Sequence, residues 1–89
     1  MARILQALFR SMIKPPTLET VTGKIAVVQE ERFRLITDEG QGLILTLSHS
    51  ASVTPEQLWD FHRRGLRVLV EYHGTPSMET GVATAVREM

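Results

Sequence analysis

Residues 54–73 read TPEQLWDFHRRGLRVLVEYH, and this stretch decides the fold. Thr54 stands where a helix cap belongs, Pro55 occupies the first turn, and Gln57 follows the cap at the spacing of a capping box. A helix of about three turns is predicted from Pro55, with Leu58, Phe61 and His62 on its buried stripe and Trp59 at the margin. Arg63 and Arg64 suit the negative end of the helix dipole, and Gly65 is the left-handed stop. From Leu66 the period changes to two: Val68, Val70 and Tyr72 alternate against Arg67, Leu69 and Glu71, which predicts a strand over 66–73. A short capped helix therefore runs directly into a strand.

Upstream lie three more alternating runs. Glu19–Gln29 (ETVTGKIAVVQ) sets Val21, Gly23, Ile25 and Val27 against Thr20, Thr22, Lys24 and Ala26, with Val28 as an apolar residue of the second face. Gly23 is expected to mark a bulge or bend in this long strand. After the polar Glu30-Glu31 reversal, Arg32–Thr37 alternates again, and Asp38–Gly42 is a hairpin turn. Leu43–Ser48 follows, with Leu43, Leu45 and Leu47 facing one way and Ile44 and Thr46 the other. Downstream, Gly74–Thr80 reads as a loop in which Met78 is expected to be an anchor. Gly81–Arg87 is a fifth strand with Val82, Thr84 and Val86 on one side.

The first fourteen residues, MARILQALFRSMIK, have a different period. Ile4, Leu5, Leu8, Phe9, Met12 and Ile13 fall on one helical stripe, and Arg3, Arg10 and Lys14 add positive charge without any acid. An amphipathic helix over 1–14 is expected, ended by Pro15 and Pro16 in a stiff junction over 15–18, with the β domain over 19–89. Three uses of its stripe compete: packing on the barrel, contact with a partner or a second copy of the chain, and contact with a membrane surface. The candidate contact residues are Arg3, Ile4, Leu5, Leu8, Phe9, Arg10, Met12 and Ile13.

The order helix, three strands, helix, two strands is mainly β. Over residues 19–88 it resembles the OB-fold superfamily, small five-stranded Greek-key barrels. The resemblance is carried by Gly23 inside the long first strand, the Asp38–Gly42 hairpin, the capped helix Pro55–Gly65 between strands three and four, and the strand that opens at Gly65. It implies a closed barrel and a ligand face on strands two and three. On this chain that face maps to Lys24, Arg32, Phe33, Arg34 and Ile44. Alternation favours Phe33 inside, with Leu35; a bulge in strand two would instead turn it out between the arginines as a stacking platform.

Composition narrows the function classes. The 89 residues include no cysteine, so thiolate metal sites, disulfides and cysteine nucleophiles are excluded. His49, His62 and His73 lack ligand spacing, and no glycine elbow precedes Ser48, Ser50 or Ser52. No metal, cofactor or catalytic role is therefore expected. Lys and Arg total 10 against 10 Asp and Glu, yet the balance is a cancellation: residues 1–14 hold three bases and no acid, residues 15–89 hold seven bases and ten acids. A barrel at −3 is a poor general phosphate binder. Arg32 and Arg34 are expected to pair with Glu30, Glu31, Asp38 or Glu71. With no membrane-length apolar run and no leader pattern in its first residues, the chain is expected to be cytoplasmic. The leading expectation is a noncatalytic module that binds protein, a second copy included. Single-stranded nucleic acid and a membrane surface are the alternatives.

Overall fold

A computed structural model describes residues 18–89 apart from Glu79. The amphipathic helix expected over 1–14 and most of the proline junction lie outside the described residues. The described chain forms β1 (Glu19–Gln29), β2 (Arg32–Thr37), β3 (Gly42–Leu47), α1 (Pro55–Arg64), β4 (Arg67–His73) and β5 (Val82–Glu88). The strands close into one barrel in the order β1-β2-β3-β5-β4, with β1 also paired to β4. All pairs are antiparallel except β3 with β5. A closed barrel with one short helix between its third and fourth strands is consistent with an OB-like fold.

Alternation in β2, β3 and β4 builds the core as the sequence predicts. Phe33, Leu35, Leu45, Leu47, Val68 and Val70 all point inward and are buried. Leu58 of α1 is fully buried in the same core cluster. The helix itself forms for local reasons. Thr54 accepts from the Gln57 amide while the Gln57 side chain accepts from the Thr54 amide, and Gly65 ends the helix at φ +64°.

Gly23 marks a close approach where a bulge or bend was expected. It pairs with Thr37 of β2 on one side and Val68 of β4 on the other. A Cβ there would lie 2.1 Å from the Ile36 carbonyl oxygen, so only glycine fits. The bulge falls three residues later. The β1–β2 register shifts between Ile25 and Val27, leaving Ala26 as the extra residue. Beyond it the faces exchange: Val27, expected inside, is 51% exposed, and Val28 packs against the core.

A second irregularity rewrites β5. Tyr72 pairs with Ala83 and Glu71 with Ala85, so Thr84 is the extra residue. Ala83 and Val86 are buried, and Val82 and Thr84 are only half-buried, which corrects the predicted Val82–Thr84–Val86 face. Met78, expected to anchor the last loop, is 64% exposed. Its neighbour Ser77 does the anchoring: the Ser77 amide donates to the Ile44 carbonyl at 2.7 Å, and the Ile44 amide donates to Ser77 Oγ at 3.2 Å. The loop thereby occupies the edge of β3 that β5 leaves unpaired, satisfying backbone groups that would otherwise lack partners.

Candidate functional site

The outer face of β1, β2 and β3 follows from these registers. Val27 pairs with Arg34, and Arg34 with Ile44, so the three form one row across the sheet. Gln29, Arg32 and Thr46 form the next row, and Lys24, Ile36 and Gly42 the row on the far side. Val27, Gln29, Arg32, Phe33, Arg34 and Ile44 line a shallow hollow of about 240 Å³. The Arg34 guanidinium lies over Gly42, where a Cβ would come within 2.9 Å of its Nε, so the missing side chain makes room for the charged group.

Lys24, Arg32 and Arg34 are exposed, and none of them forms an ion pair among the described residues. The pairing expected for the arginines is overturned because two of the four acids named for it are engaged elsewhere. Asp38 is held by Arg67, with Arg67 Nε donating to Asp38 Oδ1 at 3.1 Å, and Thr22 Oγ1 donates to its other oxygen at 2.5 Å. The Arg67 hydrogen bond, then that of Thr22, lowers the Asp38 carboxyl from its ordinary 3.8 to about 2. Glu71 lies 3.5 Å from Arg87. Glu30 and Glu31 occupy the β1–β2 turn beside Arg32, around a hollow of about 330 Å³, and neither forms an ion pair with it.

Phe33 is withdrawn from the expected ligand face. It is 1% exposed in the barrel core, as alternation favoured, because β2 stays regular and the bulge lies in β1. The apolar members of the face are instead Ile44, 43% exposed and expected there, and Val27, which the sequence placed inside. A bulge at Ala26 has no residue signature, so Val27 was not readable as a surface residue. Phe33 is the one aromatic residue lining this hollow, and at 1% exposure it offers no open ring for stacking.

A second surface lies along α1. Val28, Glu30, Pro55, Glu56 and Trp59 border an open groove of about 400 Å³. Trp59, expected at the margin of the buried stripe, is 52% exposed, with its ring tilted 43° against His62 at 5.1 Å. His62 Nδ1 lies 2.8 Å from the Ile25 carbonyl. A carbonyl only accepts, so Nδ1 carries the proton and ties α1 to the bulge. At the helix end, Arg63 and Arg64 engage Asp60 at 2.9 and 3.2 Å and lower its pKa.

The polar connector shows no nucleophile paired with a base. Ser48 Oγ contacts Ser50 Oγ at 3.1 Å and accepts from the Ser50 amide, and Ser52 Oγ accepts from the Val86 amide at 3.2 Å. Among the described residues no group of His, Asp and Glu converges as a metal site, and no helix is long and apolar enough to cross a membrane. The chain matches no protein-family model, no curated protein and no solved structure.

Proposed function

We propose that the chain is a noncatalytic binding module of the OB superfamily whose outer β1–β2–β3 face takes an acidic segment of a protein partner. The observation that carries this reading is the row Val27–Arg34–Ile44 beside Arg32: cations with no ion-pair partner among the described residues, flanked by exposed apolar side chains. Arginine with adjoining apolar surface is the composition of protein interfaces, where a guanidinium grips a carboxylate in two places. Nucleic acid is the weaker occupant. Base stacking on an aromatic ring contributes about 1–3 kcal/mol per base, and Phe33, the ring that could have served, is in the core.

The test is a titration of isotope-labelled protein with a peptide of alternating Asp and Leu, and separately with oligothymidylate. The peptide is expected to shift amide resonances in residues 27–34 and 42–46. Arg32→Glu with Arg34→Glu should remove those shifts, and added salt should weaken them. Shifts produced by oligothymidylate alone would transfer the face to nucleic acid, and silence with both probes would remove it as a binding site.

A further inference from the structure

Two serines stand in for strand residues where the barrel is incompletely paired. β3 and β5 pair at Thr46–Val82 and Leu47–Ala83, and the rest of each strand keeps an edge that the other does not cover. On β5, the Ser52 amide donates to the Thr84 carbonyl and Ser52 Oγ accepts from the Val86 amide, both at 3.2 Å, which is the pattern of a parallel neighbour. On β3, Ser77 exchanges both bonds with Ile44 alone, which is the pattern of an antiparallel neighbour. The two substitutes differ in support. Ala51 and Val53, on either side of Ser52, pack on the core. Ser77 stands at φ +66°, which residues with a side chain seldom adopt, and Met78 beside it is 64% exposed. The β3 edge is therefore the less firmly sealed of the two.

The chemistry around that edge selects an occupant. Gly42 directs its backbone groups the same way as Ile44, two residues on, and they have no hydrogen-bond partner among the described residues. Leu43, on the inward face of β3, is half-buried and lies outside the packed core. On the outer face the Arg34 guanidinium lies over Gly42, without an ion-pair partner among the described residues. An antiparallel strand added here would set alternate residues opposite Gly42 and Ile44, on the arginine side, and the residue between them against Leu43. A carboxylate opposite Gly42 meets Arg34, and an apolar residue meets Leu43. Residues 1–14 carry three bases and no acid, so they would place like charge beside Arg34. Two copies joined edge to edge would bring their Arg34 side chains together.

We propose that the partner binds as an added antiparallel strand on the Gly42–Ile44 edge of β3, displacing Ser77, with acids at alternate residues beside Arg34 and apolar residues between them on Leu43. This deepens, and rests on, the reading of the sheet face as the site of an acidic segment.

The test uses the full chain and the alternating Asp and Leu peptide in two N-methylated forms. In the added strand the Asp amides donate to β3 and the Leu amides point away. Methylating the Asp amides should weaken binding at least tenfold, and methylating the Leu amides less than twofold. The unmodified peptide should slow hydrogen exchange at the Gly42 amide more than tenfold. Ser77→Ala, which removes the acceptor for the Ile44 amide, should tighten the peptide about fivefold. Equal affinity of the two methylated forms, with binding still abolished by Arg32→Glu and Arg34→Glu, overturns the added strand and leaves the sheet face as a site. Unchanged affinity in Ser77→Ala overturns the displacement. Silence with the unmodified peptide removes the sheet-face reading and this proposal together. A Gly42 amide already protected in the free chain overturns it as well: protection at every concentration gives the edge to the chain's own residues, and protection that grows with concentration gives it to a second copy.

Discussion

The outer sheet face and the α1 groove are neighbours made by one irregularity, yet their chemistries oppose. Ala26 is the extra residue that sends Val27 to the arginine-bearing face and Val28 to the groove bordered by Glu30 and Glu56. Without it, adjacent valines would keep the strict alternation of a regular strand, and one of the two surfaces would lose its apolar part. The lesson is that a single unpaired residue can divide a strand's hydrophobic content between two sites.

Variants can separate the two surfaces, and the largest effect belongs to the helix that makes the groove. Leu58→Ala empties a fully buried position and should cost about 2–5 kcal/mol, with thermal midpoints falling about 4–8 °C per kcal/mol in a domain this small. Its amide shifts should concentrate in α1, β1 and the core positions around Leu58, sparing the outward-facing Arg34 and Ile44. A comparable disturbance at Arg34 and Ile44 would show that the two surfaces are one cooperative unit.

His62→Leu comes next. It removes the donor to the Ile25 carbonyl at the bulge, and leaving that carbonyl unsatisfied should cost about 1–3 kcal/mol in urea denaturation. The near-ultraviolet signal of Trp59 should change as well, because its ring neighbour is gone. An unchanged midpoint would mean that the bulge holds α1 without this bond.

Acid tests the side of the barrel away from the groove. The folded Asp38 carboxyl titrates near 2, below its ordinary 3.8, so its contribution to stability is complete above about pH 4 and is lost as pH falls through 2. Asp38→Asn should flatten that part of the acid-unfolding curve, and Arg67→Gln should do the same. Persistence of the acid limb in both variants would place the responsible carboxylate elsewhere. The smallest effect is expected at the sheet face: Arg32→Glu with Arg34→Glu should change stability by less than about 0.5 kcal/mol, since both side chains are exposed and unpaired among the described residues. A larger loss would mean that the arginines support the barrel.

Most of the architecture was legible where local chemistry is self-sufficient. Thr54, Gln57 and Gly65 specify the limits of α1 through their own hydrogen bonds and backbone angles, and β2, β3 and β4 alternate without interruption. The site was legible in part. Arg32, Arg34 and Ile44 follow from alternation, whereas Val27 and Ser77 do not, because a bulge and a loop seated on an open edge depend on partners distant in sequence. The pairing assumed for the arginines failed for a related reason: Asp38, close to Arg34 in sequence, is claimed by Arg67 from β4.

By itself the sequence determined the element order, the capped helix, the inward faces of the three regular strands and the segregation of charge between the first fourteen residues and the rest. These depend on periodicity and on contacts within one turn or one hairpin. Only the tertiary structure decided where the extra residues Ala26 and Thr84 fall, how β3 and β5 close the barrel in parallel, and which cations remain unpaired. Each of those is a relation between strands, and a one-residue shift in pairing changes which face a side chain joins while leaving the sequence that encodes it unchanged.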